Sequence, residues 1–84
     1  MFITYIIQSK LDSSYYIGYT SDLKKRLEYH NLGLSKYTCR KIPWEIVYYE
    51  KFECKSDAIK RERFLKNQRN RNFYLKLIKN FTEP

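Results

Sequence analysis

At 84 residues the chain is expected to form one domain over 1–84, near the smallest size that folds on a hydrophobic core alone. Nine Tyr, five Phe and one Trp offset the small core, since each ring can bury about 150–250 Å². Seventeen Lys and Arg against nine Asp and Glu give a formal charge of +8, a field that captures polyanions and points to nucleic acid rather than to acidic proteins.

The apolar run Phe2 to Ile7 is short, contains Thr4 and has no basic residue before it. It is neither a signal peptide nor a membrane span, and the expected location is the cytoplasm. Bulky side chains on both parities from Phe2 to Gln8 predict a central strand buried on both faces. Turn residues follow over Lys10-Leu11-Asp12-Ser13-Ser14, and Tyr15 to Tyr19 reads as a second strand, antiparallel to the first. Within it, Gly18 reads either as a twist or bulge, or as a gap that lets a bulky substrate approach the backbone.

Thr20-Ser21-Asp22 supplies a helix start, Leu23 and Leu27 mark a buried stripe, and Asn31-Leu32-Gly33 reads as the stop. Leu34 to Ile42 is polar and basic, a loop or one more helical turn. It carries Cys39, which like Cys54 lacks a C-x-x-C partner or histidines at zinc spacing, so both read as free thiols. Trp44 to Phe52 is a third strand. Ser56-Asp57 can cap a helix over about 57–67, and Asn70 to Asn80 gives a last helix with Phe73, Leu77, Ile78 and Phe81 at helical spacing. The order ββαβαα predicts an α+β fold, a small three-stranded, largely antiparallel sheet flanked by helices.

Several polar residues stand out against this frame. Tyr5 and Tyr16 can share one face of the hairpin if its register allows. Arg26 and His30 lie four residues apart on one helix face, an edge expected at the margin of the sheet. Glu62 falls on the stripe of Ala58 and Leu65, where a carboxylate is costly unless compensated. It reads as an ion pair with Arg26 or a nearby Lys, or as a ligand for Mg²⁺, a cation that often takes only one or two carboxylates. Lys24, Lys25, Lys36, Arg40 and Lys41 lie on the first helix and the loop after it, and Lys60, Arg61, Arg63, Lys66, Arg69 and Arg71 surround Glu62. Contacts of this kind hold a phosphate backbone without reading sequence. Tyr15, Tyr19, Tyr48 and Tyr49 read as packing residues rather than base-stacking ones.

Taken together these residues resemble the GIY-YIG nuclease domain, in particular its small stand-alone members. Tyr16-Ile17-Gly18 matches the second motif letter for letter, while the first stands as Ile3-Thr4-Tyr5 and keeps only its tyrosine. Arg26 lies eight residues after Gly18 with His30 four further on, and Ala58-Ile59-Lys60-Arg61-Glu62 resembles the family's metal-carboxylate helix. The likeness spans Ile3 to about Leu65.

The resemblance implies a metal-dependent endonuclease acting on DNA in repair, recombination or processing, structure-directed or weakly sequence-specific. The alternative on the same scaffold is a non-catalytic nucleic-acid-binding protein or a partner-dependent adaptor. By analogy Tyr5 is the general base, Tyr16 orients the water or phosphate, Arg26 stabilises transition-state charge, and Glu62 holds Mg²⁺ or Mn²⁺. His30 would accept the tyrosine proton or hydrogen-bond its oxygen; its other reading is a surface histidine. Gly18 and the basic residues would border the substrate, and Asn67, Asn70 and Asn72 are candidates for a supporting asparagine. A protein partner that supplies specificity fits so small a chain, and the sequence leaves the oligomeric state open.

Overall fold

The stretch Phe2–Ser9 forms strand β1 of the computed structural model, which describes residues 1–81. Strand β2, Tyr15–Thr20, and strand β3, Trp44–Phe52, pair with it antiparallel on either side, so the sheet order is β2-β1-β3. The central position explains why both parities of β1 are apolar: Thr4, Tyr5, Ile6 and Ile7 are all buried. Helices α1 (Leu23–Asn31), α2 (Lys55–Gln68) and α3 (Arg71–Lys79) complete the order ββαβαα, the α+β architecture expected. No helix among the described residues is long and apolar enough to cross a membrane.

Pleating separates the two faces. Tyr5 and Ile7 pack with Tyr16, Trp44, Leu23 and Leu27 under α1. Ile6, Ile17 and Tyr48 pack on the other face against Leu65 of α2 and Tyr74 of α3, with Phe73, Leu77, Ile78 and Phe81 beside them. Thr4 adds a direct link there, donating its hydroxyl hydrogen to the Ala58 carbonyl at 2.7 Å. Tyr15, Tyr48 and Tyr49 all join these cores, in line with packing.

Helix ends differ from expectation in detail. Asp22 is the N-cap of α1, its carboxylate accepting from the Lys25 N–H at 3.1 Å, and Thr20 supports Asp22 rather than the helix. Helix α2 starts ahead of Ser56, at Lys55. Its N-cap Cys54 makes no side-chain bond, and Asp57 sits in the first turn, where the dipole favours an acid. Asn70 caps α3.

The segment between α1 and β3 is a series of turns. Its shape comes from side chains reaching across it. Asn31 accepts from the Trp44 N–H at 2.7 Å and donates to the Trp44 carbonyl at 3.1 Å. The Trp44 indole N–H donates to the Thr38 carbonyl at 2.9 Å, and the Ser9 hydroxyl to the Lys41 carbonyl at 2.7 Å.

Candidate active site

The hairpin register sets Tyr5 opposite Gly18 and Ile7 opposite Tyr16. Both tyrosines therefore point to the α1 face, their ring centroids 6.5 Å apart. Gly18 serves neither as a bulge nor as an opening for substrate: a Cβ there would lie 2.6 Å from the Tyr5 hydroxyl oxygen. The missing side chain makes room for the phenol.

Over that phenol α1 delivers its two polar residues. His30 is fully buried, not at the sheet margin, because the Asn31–Trp44 link draws the end of α1 onto β3. Its Nε2 lies 2.9 Å from the Tyr5 oxygen, and Nδ1 lies 2.7 Å from the hydroxyl of Thr38. Arg26 donates from Nε to the same Tyr5 oxygen at 3.3 Å, and its guanidinium lies over the Tyr29 ring, 4.6 Å from the centroid. Tyr16 packs on His30 with centroids 5.0 Å apart. Tyr5, Tyr16, Arg26 and His30 thus share one contact network.

Electrostatics follow from burial. Desolvation pushes the Tyr5 phenol up to about 12, outweighing the hydrogen bond and charge of Arg26, which pull it down. The negative charge of Glu62, on the helix that covers the opposite face, adds a smaller contribution in the same direction as burial. Burial, with Arg26 adding to it, lowers His30 to about 4, and the ring is neutral at pH 7.

Glu62 is not hydrogen-bonded to the tyrosines or to Arg26. Its side chain is 15% exposed, and Lys66 approaches one oxygen at 3.6 Å. An i,i+4 pair of this length contributes about 0.3–0.5 kcal/mol, a weak hold on the carboxylate. Among the described residues no three His, Cys, Asp or Glu gather as a metal cluster. A hard oxygen-seeking ion that keeps waters and binds one carboxylate suits this donor set; a soft metal does not.

The basic residues divide. Lys24, Lys25, Lys36, Arg40 and Arg63 are exposed. Arg61, expected among the phosphate contacts, instead donates to Glu50 Oε2 at 2.7 Å, where the Tyr48 hydroxyl also donates at 2.6 Å. Lys41 is tied to Asp12 at 3.1 Å. Arg71 lies over the Tyr15 ring. Of the candidate asparagines, Asn70 is committed to capping, and Asn67 and Asn72 are exposed.

Sequence reasoning missed Thr38, whose segment carries no periodicity to place it, and Tyr37, which is 80% exposed between Lys36 and the buried Thr38. The Glu50–Arg61 pair was also missed, though an acid on a strand and a base on the next helix are a recurrent pairing.

Comparison with known proteins identifies a family. Residues 1–75 match the GIY-YIG catalytic domain. A UPF0213 protein of Streptococcus pyogenes is 42% identical over 69 residues, 81% of this chain and 75% of that protein. One from Streptococcus pneumoniae is 39% identical over 66 residues, 77% of this chain and 66% of its own length. The solution structure of a UPF0213 protein from Bacillus halodurans covers 100% of this chain and 89% of its own, with 31% identity and a TM-score of 0.61. With a family match over most of its length and relatives above 30% identity, the chain belongs to the GIY-YIG family, a nuclease fold, among its small UPF0213 proteins.

Proposed function

We propose that the chain is a divalent-cation-dependent endonuclease that hydrolyses DNA phosphodiester bonds, structure-directed or weakly sequence-specific, in repair, recombination or processing. The observation that carries this reading is the convergence of Arg26 and His30 on the Tyr5 oxygen in the space left by Gly18. A buried phenol held by a cationic donor is suited to gain and lose a proton beside a phosphate.

In this scheme Tyr5, as phenolate, takes a proton from the attacking water. Tyr16 lines the approach on the same face and orients the water or phosphate. Arg26 binds the Tyr5 oxygen through Nε, which leaves its terminal nitrogens for the nonbridging oxygens as their charge grows. Glu62 would hold Mg²⁺ or Mn²⁺, which when bound supplies positive charge at the scissile phosphate and its leaving oxygen. Lys24, Lys25, Lys36, Arg40 and Arg63 supply backbone contacts that retain the strand.

The test is incubation of the protein with branched, nicked and duplex DNA in Mg²⁺ and then in EDTA, beside Glu62→Ala and Arg26→Ala. Cleavage by the wild type alone, abolished by EDTA, is the expected result. Binding of the same DNA without any wild-type cleavage would favour the non-catalytic reading.

A further inference from the structure

His30 is the chain's only histidine, and its two ring nitrogens meet different hydroxyls, Tyr5 at Nε2 and Thr38 at Nδ1. A neutral imidazole carries one hydrogen, and each hydroxyl carries one more. Three hydrogens thus serve two contacts, and one must point elsewhere. If Tyr5 donates to Nε2, then Nδ1–H donates to Thr38, and the spare hydrogen is that of Thr38. If Thr38 donates to Nδ1, then Nε2–H donates to Tyr5, and the spare hydrogen is that of the phenol.

The two ends are not equivalent. Thr38 is fully buried, in a turn closed by the Trp44 indole on its own carbonyl. An unpaired donor there has no acceptor to find. Tyr5 is also buried, 1% exposed, but on the nuclease reading it works as a phenolate, which has no hydrogen to give and needs a donor at Nε2. The first arrangement also casts His30 as acceptor of the phenol's proton. Burial and the neighbouring Arg26 oppose that charge, holding the ring near 4 against about 12 for Tyr5. The groups around the ring are Tyr5 of β1, Tyr16 of β2, Arg26 and Tyr29 of α1, and Thr38. An imidazolium would gain no carboxylate partner from them.

We propose that Thr38 is a positioning residue: its hydroxyl donates to Nδ1 of His30, fixes the Nε2–H tautomer, and so aims a second donor beside Arg26 at the Tyr5 oxygen. His30 then stabilises the phenolate and does not accept its proton. Both the tautomer and the catalytic role rest on the nuclease reading above, and the two are measured separately.

Nitrogen-15 spectra of the single imidazole near pH 7 test the assignment without substrate. Nε2 is expected to be protonated and Nδ1 bare in the wild type and in Thr38→Ser, with Thr38→Val shifting the ring toward Nδ1–H or a mixture. Cleavage of DNA in Mg²⁺ should fall on the order of 10- to 100-fold in Thr38→Val, with Thr38→Ser restoring most of it. A wild-type ring protonated at Nδ1 overturns the proposal even if Thr38→Val fails to fold, as does a Thr38→Val protein with an unchanged tautomer. A wild type with the expected tautomer but no cleavage refutes the nuclease reading and leaves the tautomer standing.

Discussion

Tyr5 and His30 are both held neutral by the same burial, with opposite consequences for pH. For His30 the native value of about 4 lies below the ordinary 6.5. Above pH 6.5 neither state holds the proton and the contribution to stability is full. Between 6.5 and 4 the unfolded chain binds a proton that the native state refuses, so stability falls as pH falls. The total is about 3 kcal/mol, at about 1.36 per unit. Urea melts of wild type and His30→Gln from pH 7 to 4 should therefore converge as the pH drops. Parallel curves would refute the assignment. Gly18 makes a second residue-scale prediction. Gly18→Ala places a methyl group against the Tyr5 oxygen, and displacing the phenol should destabilise the fold by about 1–3 kcal/mol. Cleavage should fall further than the melts alone explain, because the oxygen leaves its two nitrogen donors.

Among the elements, α2 shows how the proposed metal carboxylate, Glu62, is held from behind. Glu50 of β3 and Arg61 of α2 form a pair about one-third exposed on each side, with the Tyr48 hydroxyl on the same carboxylate oxygen. Arg61 also lies over Phe64, 5.1 Å from the ring centroid. This clamp fixes the turn of α2 that carries Glu62. Arg61→Ala should cost about 1–2 kcal/mol in urea unfolding and lower cleavage through Glu62, while changing the salt dependence of DNA binding little. The strands were legible because their apolar parity and β-branched composition are set by burial alone. Helix α3 was legible from Phe73, Leu77, Ile78 and Phe81. The turns between α1 and β3 were not, since Asn31, Thr38 and Trp44 meet only through hydrogen bonds that leave no repeat in the sequence. The start of α2 was misplaced because its N-cap, Cys54, makes no side-chain bond that a capping motif in the sequence could announce.

For the whole molecule, the +8 charge sorts into exposed residues and residues engaged in the fold. Lys36 and Arg40 flank the exposed Tyr37 on the segment whose Thr38 touches His30. Replacing either by Ala should lower the slope of log binding against log salt by about 1, without shifting the melting transition. A filter-binding salt titration checks the slope, and a thermal melt checks the transition. The spacing of Tyr5, Tyr16, Arg26 and His30 foretold a shared neighbourhood, because a hairpin followed by a helix returns those faces to one another. It did not foretell that α2 lies on the far face, since nothing local to Glu62 specifies which side of a sheet its helix will cover.

Cleavage rate against pH, for wild type and Tyr5→Phe in saturating Mg²⁺, tests most directly whether the phenolate is the base. Ionising Tyr5 at pH 7 from about 12 costs about 7 kcal/mol before any bound cation or substrate offsets it. The wild-type rate should rise close to tenfold per unit from pH 6 until the phenol ionises, and Tyr5→Phe should lose at least about 100-fold along with that slope. A Tyr5→Phe protein that cleaves at the wild-type rate with the same profile would contradict the account.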